Sequence, residues 1–235
     1  VIVRAAVVPH PPLLVPELVV GDVPEVREVR RSCVAAARAL AEASPRWIAI
    51  APGLGEVGPH ASGTFRGYGV DVRITLSDDT HGDPDPSLPL PVLIAGWLRE
   101  QAGAQGVSVE LVDPDTSSSE CQALGARIAK AADEPIGLLV LGDGSYRHGE
   151  RGPGRPDERA PGFDEEVQAA LSNADPAALL GLDESLAREL GAEGRVAWQV
   201  LAGAAAGREW RCQSSELMLP FGVAYHVAVW DPLPS

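Results

Sequence analysis

Residues 135–144 read PIGLLVLGDG, an unbroken apolar run that ends in glycines and an aspartate. Strict alternation would mark a strand with one wet face, whereas a continuous run of this length marks a strand covered on both faces. One such strand points to helices above and below a sheet, and its partners must lie on either side of it in the chain. Upstream, IVRAAVVP (2–9), RWIAIAP (46–52), DVRITL (71–76) and VSVELVD (107–113) supply further apolar, β-branched segments. Helical spacing separates them. EVREVRRSCVAAARALAEA runs from Glu25 to just before Pro45. SLPLPVLIAGWLREQAG (87–103) tolerates prolines in its first turn, and SSSECQALGARIAKAADE has serines available as caps. Downstream, a glycine- and proline-rich loop over residues 145–162 leads to three helical patterns: FDEEVQAALSNA, PAALLGLDESLARELG and RVAWQVLAGAAAG. Two strand candidates close the chain, near REWRCQSSELML and GVAYHVAVW. The alternation predicts a three-layer α/β/α fold with a central mixed β-sheet, mixed because the last two strands can pair as a hairpin. No repeat, low-complexity tract or linker divides the pattern, so residues 1–235 are expected to form a single domain.

Composition narrows the function. Apolar residues make up 45% and charged residues 22%, the balance of a globular chain rather than a disordered one. The formal charge is −14, from 33 acidic and 19 basic side chains. A field of that sign repels phosphate backbones and anionic lipid, which argues against nucleic acid and membrane surfaces as partners. No apolar window is long enough to span a bilayer, and the opening VIVRAAVVPHPP lacks the basic region and cleavage site of a signal peptide. Cys33, Cys121 and Cys212 are too few and too far apart for a disulfide framework or a thiolate zinc site, and read as buried thiols in a reducing, cytoplasmic compartment.

One motif is a decoy. GLGEVG, from Gly53 to Gly58, matches G-x-G-x-x-G after a predicted strand. That fingerprint binds a pyrophosphate only where a helix begins, and PHASGTFRGYG, which follows, has no helical periodicity. Nucleotide binding is therefore not expected.

The chain has five histidines. His10 follows the first strand in a proline-rigid turn, His60 lies in the loop after the second, His81 precedes a helix, and His148 follows PIGLLVLGDG. Loops after strands are where α/β proteins place catalytic groups, although loops hold most polar residues in any protein. His226, within GVAYHVAVW, reads as packed or on an outer strand face. Asp143, Ser145 and His148 lie too close in sequence for a nucleophile system, and the first two read as braces of the strand-to-loop turn.

Several segments, in order along the chain, resemble class III extradiol dioxygenases, the LigB-like superfamily, and their Memo-type relatives. AAVVPHPPLLVPEL resembles their opening strand and Pro-His, and THGDPDPSLPL their internal His-Gly segment. LLVLGDGSYRHG with APGFDEEVQAAL resembles their Gly-x-x-Ser-His strand end and the Phe-Asp helix after it. PFGVAYHVAVW is similar to the closing strand of a subset, and VPEL, AWQVLAG and the closing strand together resemble a group of actinobacterial proteins of this length.

The resemblance implies a LigB-like fold and a non-haem Fe(II) site in which two histidines and a glutamate leave positions open for a catechol-like aromatic and O₂. It places His10 as the first iron ligand and His81 in the substrate pocket, with Glu216 as the candidate carboxylate. Two positions depart from the family. Where the second ligand should follow strand two the chain reads Ala51-Pro52-Gly53, which leaves His60 as the candidate ligand. Where the acid–base histidine should follow Ser145 the chain has Tyr146, a poor base at neutral pH, with His148 two residues on. The expected catalytic set is therefore His148, Tyr146 and His81, and the expected metal set His10, His60 and Glu216. Two readings stay open: an Fe(II) ring-cleavage oxygenase, or a metal-free, non-catalytic relative that binds a small molecule or a protein partner. Relatives in the family also suggest a homodimer.

Overall fold

A computed structural model describes residues 1–234. Nine strands and seven α-helices are assigned among them: β1 Ile2–Val8, α1 Pro24–Ala43, β2 Arg46–Pro52, β3 Gly55–Val57, β4 Ser62–Thr64, β5 Arg73–Thr75, α2 Leu90–Ala102, β6 Gly106–Val112, α3 Ser118–Ala131, β7 Ile136–Leu141, α4 Ala160–Ser172, α5 Pro176–Leu180, α6 Glu184–Leu190, α7 Arg195–Ala205, β8 Trp210–Met218 and β9 Tyr225–Pro232.

The main sheet has seven strands in the order β3-β6-β2-β7-β1-β9-β8. Its four inner strands β6, β2, β7 and β1 run parallel, and antiparallel strands flank them on both sides. The apolar run over residues 135–144 contains β7, at the centre of the sheet. Side chains alternate between two cores, as the period of a strand requires. On β1, Ala5 and Val7 pack with α3, α4 and α7, while Ala6 and Val8 pack with α1 and α2. The fold is thus α/β, a seven-stranded mixed sheet with helices on both faces. No helix among the described residues is long and apolar enough to cross a membrane.

Local sequence explains most boundaries. Ser117 and Glu120 form a reciprocal capping box at the start of α3, and Gly103 ends α2 in the left-handed conformation that glycine adopts without steric cost. The hairpin β8–β9 forms as expected, with a register shift between Cys212 and Ser214 on the exposed edge strand. Two expectations need correction. DVRITL contains a strand, but β5 pairs with β4 in a separate two-stranded sheet rather than joining the main one. PAALLGLDESLARELG is two helices, because the Asp183 side chain caps a new N-terminus by accepting from Leu186 N–H.

Candidate functional site

At the carboxyl ends of β1 and β7 the chain leaves two neighbouring parallel strands and enters the turns that carry His10 and Asp143. The adjacent β9 is antiparallel, so its amino end, Tyr225-His226, reaches the same edge. The His10 backbone N–H donates to Asp143 Oδ1 at 2.8 Å, and its ring Nδ1 lies 3.6 Å from the same oxygen. That nitrogen is buried and has no hydrogen-bond partner among the described residues. Burial pushes the Tyr225 phenol above its ordinary range, with the negative charge of Asp143 adding to the effect. The Cys33 thiol is raised for the same reasons, first by burial and then by Asp143 and Glu216.

The second part of the edge is built around Asp164, at the start of α4. Its carboxylate is fully buried. His148 Nε2 lies 2.7 Å from Oδ2 and His226 Nε2 lies 2.9 Å from Oδ1. The Ser145 N–H donates to the same carboxylate at 3.2 Å. His226 Nδ1 faces Gln168 Oε1 at 3.2 Å, and its ring meets Trp198 edge-on at a centroid distance of 5.5 Å. A carboxylate can only accept, so His148 must present Nε2–H to Asp164, which leaves Nδ1 without a partner among the described residues.

Close backbone packing makes this arrangement rigid. A Cβ on Gly144 would collide with Asp164 Oδ1 and Ala224, and one on Gly222 would collide with the His148 carbonyl and Gly152. Gly144 N–H donates to Ala224 O, Ala224 N–H to Ser145 O and His148 N–H to Gly222 O, so the loop after β7 is stitched to the tip of the β8–β9 hairpin.

His148 lines a surface cleft of about 680 Å³. Glu25 and Glu28 of α1, Glu150 and Arg151 of the loop, and Phe221 at the hairpin tip form its walls. Phe221 is 44% exposed and has a φ of 56°, a conformation that side chains with a Cβ rarely adopt.

The sequence-derived candidates divide between two edges of the sheet. His10, Tyr146 and His148 belong to segments at the carboxyl edge. The Tyr146 ring packs against Gly154 and Gly191, and its hydroxyl makes no hydrogen bond among the described residues. Ser145 Oγ donates to Leu190 O and accepts from Arg147 N–H, so it braces the turn, as expected, and is not poised as a nucleophile.

His60 and His81 require correction. After β2 the chain turns back along β6 as the antiparallel strand β3, which carries it toward the amino edge of the parallel strands. His60 there lines a cavity of about 550 Å³ beside Arg46, Gly106 and Ile136, residues at the starts of β2, β6 and β7. His81 directly follows Thr80, whose Oγ1 donates to Pro59 O, and the nearby Ser77 bridges to Gly106. Both imidazoles are exposed. Glu216 is exposed on β8, where it accepts from Ser32 Oγ at 2.7 Å in a groove against α1. Among the described residues no group of three His, Cys, Asp or Glu side chains is arranged to hold a metal ion. His10, His60 and Glu216 therefore do not fit the facial iron site that the resemblance implies, which needs its ligands within about 2 Å of one ion.

Sequence reasoning missed Asp164, Gln168 and the part played by His226. A signal was present: Asp164 shares a helix face with Val167 and Leu171, so an acid stands at a core-facing position of α4.

No protein-family model matches the chain, and no curated protein matches it. Among solved structures it is similar to an uncharacterized protein, JW3007, from Escherichia coli K12, with a TM-score of 0.56 at 14% identity over 97% of this chain and 99% of that one. At that identity the likeness speaks for the fold.

Proposed function

We propose that this chain is a divergent, extradiol-dioxygenase-like protein whose carboxyl-edge cleft binds a small organic molecule and moves a proton through His148, without the facial iron site of the family it resembles. The observation that carries this reading is the 2.7 Å contact between His148 Nε2 and the buried Asp164, in a histidine that lines the cleft. A carboxylate behind an imidazole fixes its tautomer and stabilises the imidazolium that forms when the other nitrogen takes a proton. His148 Nδ1 is then the base, and Asp164 and His226 hold it in place. In the family this work falls to a histidine directly after the serine, and here the loop supplies it two residues later while Tyr146 packs elsewhere.

One observation favours the second reading, an iron oxygenase acting on a catechol-like aromatic. His10 Nδ1 is buried, unpartnered and close to Asp143. The two readings separate in one experiment. The protein is loaded anaerobically with Fe(II), desalted and analysed for iron, then given catechol and air, with His10→Ala in parallel. Our reading expects well under one iron per chain, unchanged in His10→Ala, and no oxygen uptake. It also expects catechol to perturb the NMR signals of the His148 ring and not those of His81. Stoichiometric iron that disappears in His10→Ala, with catechol-dependent oxygen uptake, would establish the iron reading instead.

A further inference from the structure

We propose that the cleft beside His148 is built for a primary ammonium ion that carries an apolar group. The inference rests on the reading above, that this cleft binds a small molecule, and adds the class of ligand. Three carboxylates face the cleft and one guanidinium: Glu25 and Glu28 from α1, Glu150 and Arg151 from the loop after β7. Glu25, Glu150 and Arg151 have no ion-pair partner among the described residues, and Glu28 meets only Arg31 at 3.8 Å. Acids in the first turns of a helix such as α1 are explained by the helix dipole. Glu150 belongs to another element and has no such explanation, yet it faces the same space.

The His148 side chain is nine-tenths buried and presents an unpartnered Nδ1. The three carboxylates and the unprotonated Nδ1 of His148 itself are all acceptors, so the complementary headgroup is one that brings N–H donors and positive charge. A quaternary ammonium has the charge and lacks the donors. Phe221 and Leu219, 44% and 49% exposed, form the apolar side of the cleft. An aromatic face beside acids attracts a cation and its hydrocarbon together. The net charge of the chain reinforces the preference, since a cation approaches and an anion is repelled.

The test uses three ligands with one ring and chain length: 2-phenylethylamine, 2-phenylethanol and phenylacetate, which are cationic, neutral and anionic at pH 7. Binding to the full chain is measured by calorimetry and by the shifts of His148 ring signals. The amine is expected to bind about tenfold or more tighter than the acid, with an affinity that falls as salt rises. Replacing Glu25, Glu28 and Glu150 together by glutamine should weaken the amine several-fold, and Arg151→Gln should strengthen it. All four positions are exposed, so the variants are expected to fold. If phenylethanol or phenylacetate binds as tightly as the amine and shifts His148, the ammonium assignment falls and the cleft reading survives. If none of the three binds, the ammonium assignment falls, and the cleft reading falls with it only if catechol also leaves the His148 ring signals unmoved.

Discussion

Asp164 concentrates more of the site than any other side chain. A carboxylate removed from water is costly unless its oxygens are satisfied, and here two imidazoles and a backbone N–H meet them. Asp164→Asn keeps the shape, removes the charge and turns a donor toward a ring N–H. It should lower unfolding free energy by about 3 kcal/mol in a denaturant titration, and a change below about 0.5 kcal/mol would mean the cluster is not formed. The cysteines allow an independent check at the same scale. Burial raises the Cys121 thiol to about 11, and Cys33 and Cys212 are raised as well, Cys33 being fully buried. Since the thiolate is the reacting form, a disulfide reagent at pH 8 should modify Cys212 first in the native protein and the other two only after denaturation. Early modification of Cys33 would contradict the core described here. His148 was legible in the sequence as a loop residue after a central strand. Its carboxylate partner was not, because the pairing of loop and α4 depends on where the helix packs.

Elements were more legible than side-chain partners. β1, β2, β6, β7, α1 and α3 begin and end within a few residues of the patterns that announce them, because apolar period and capping chemistry act locally. The errors came where three-residue strands decide the path. β3 and β4 have no periodicity of their own, and it is β3 that turns the chain back toward the amino edge and takes His60 and His81 away from His10. Helix packing offers a sharper test than helix boundaries. A Cβ on Gly125 of α3 would collide with the Val200 carbonyl and the Ala204 nitrogen, and one on Gly203 of α7 would collide with the Gln122 backbone. The two helices cross on their glycines. Gly125→Ala should therefore destabilise by about 2 kcal/mol, against a helix-propensity gain of about 1 kcal/mol, while Gly162→Ala, in open space on α4, should be neutral or stabilising. Equal unfolding midpoints for the two variants would reject the crossing.

At the scale of the molecule, one ion pair links the two ends of the fold. Arg4 of β1 binds Asp231 of β9 through Nε at 2.5 Å and Nη2 at 3.1 Å, and its Nη1 donates to Ala39 O of α1. The hydrogen bonds from Arg4 hold the Asp231 carboxyl below its ordinary range. Because the folded-state value is depressed, the unfolded chain takes up the proton first as pH falls. The pair therefore contributes fully above about pH 4, the ordinary aspartate value, and its contribution is lost as pH drops through the lower folded value. Arg4→Gln should be less stable than the parent at pH 7 and approach it below pH 4 in parallel unfolding titrations; a constant difference across that range would exclude the linkage. Fold topology also decides which parts of the candidate site were legible in the sequence. The rule that strand exits at the carboxyl edge build a site placed His10 and residues 146–148 together. It holds only for segments that stay at that edge, which the His60 and His81 segments do not.

The buried Asp164 holds His148 by Nε2, which leaves Nδ1 without a partner among the described residues in a side chain that lines the cleft. Long-range proton–nitrogen NMR of the ¹⁵N-labelled protein reads this directly from the neutral ring. A protonated Nε2 and a bare Nδ1 are expected for His148, with that preference lost in Asp164→Asn. A proton on Nδ1 in the parent protein, or a tautomer unaffected by Asp164→Asn, would contradict it.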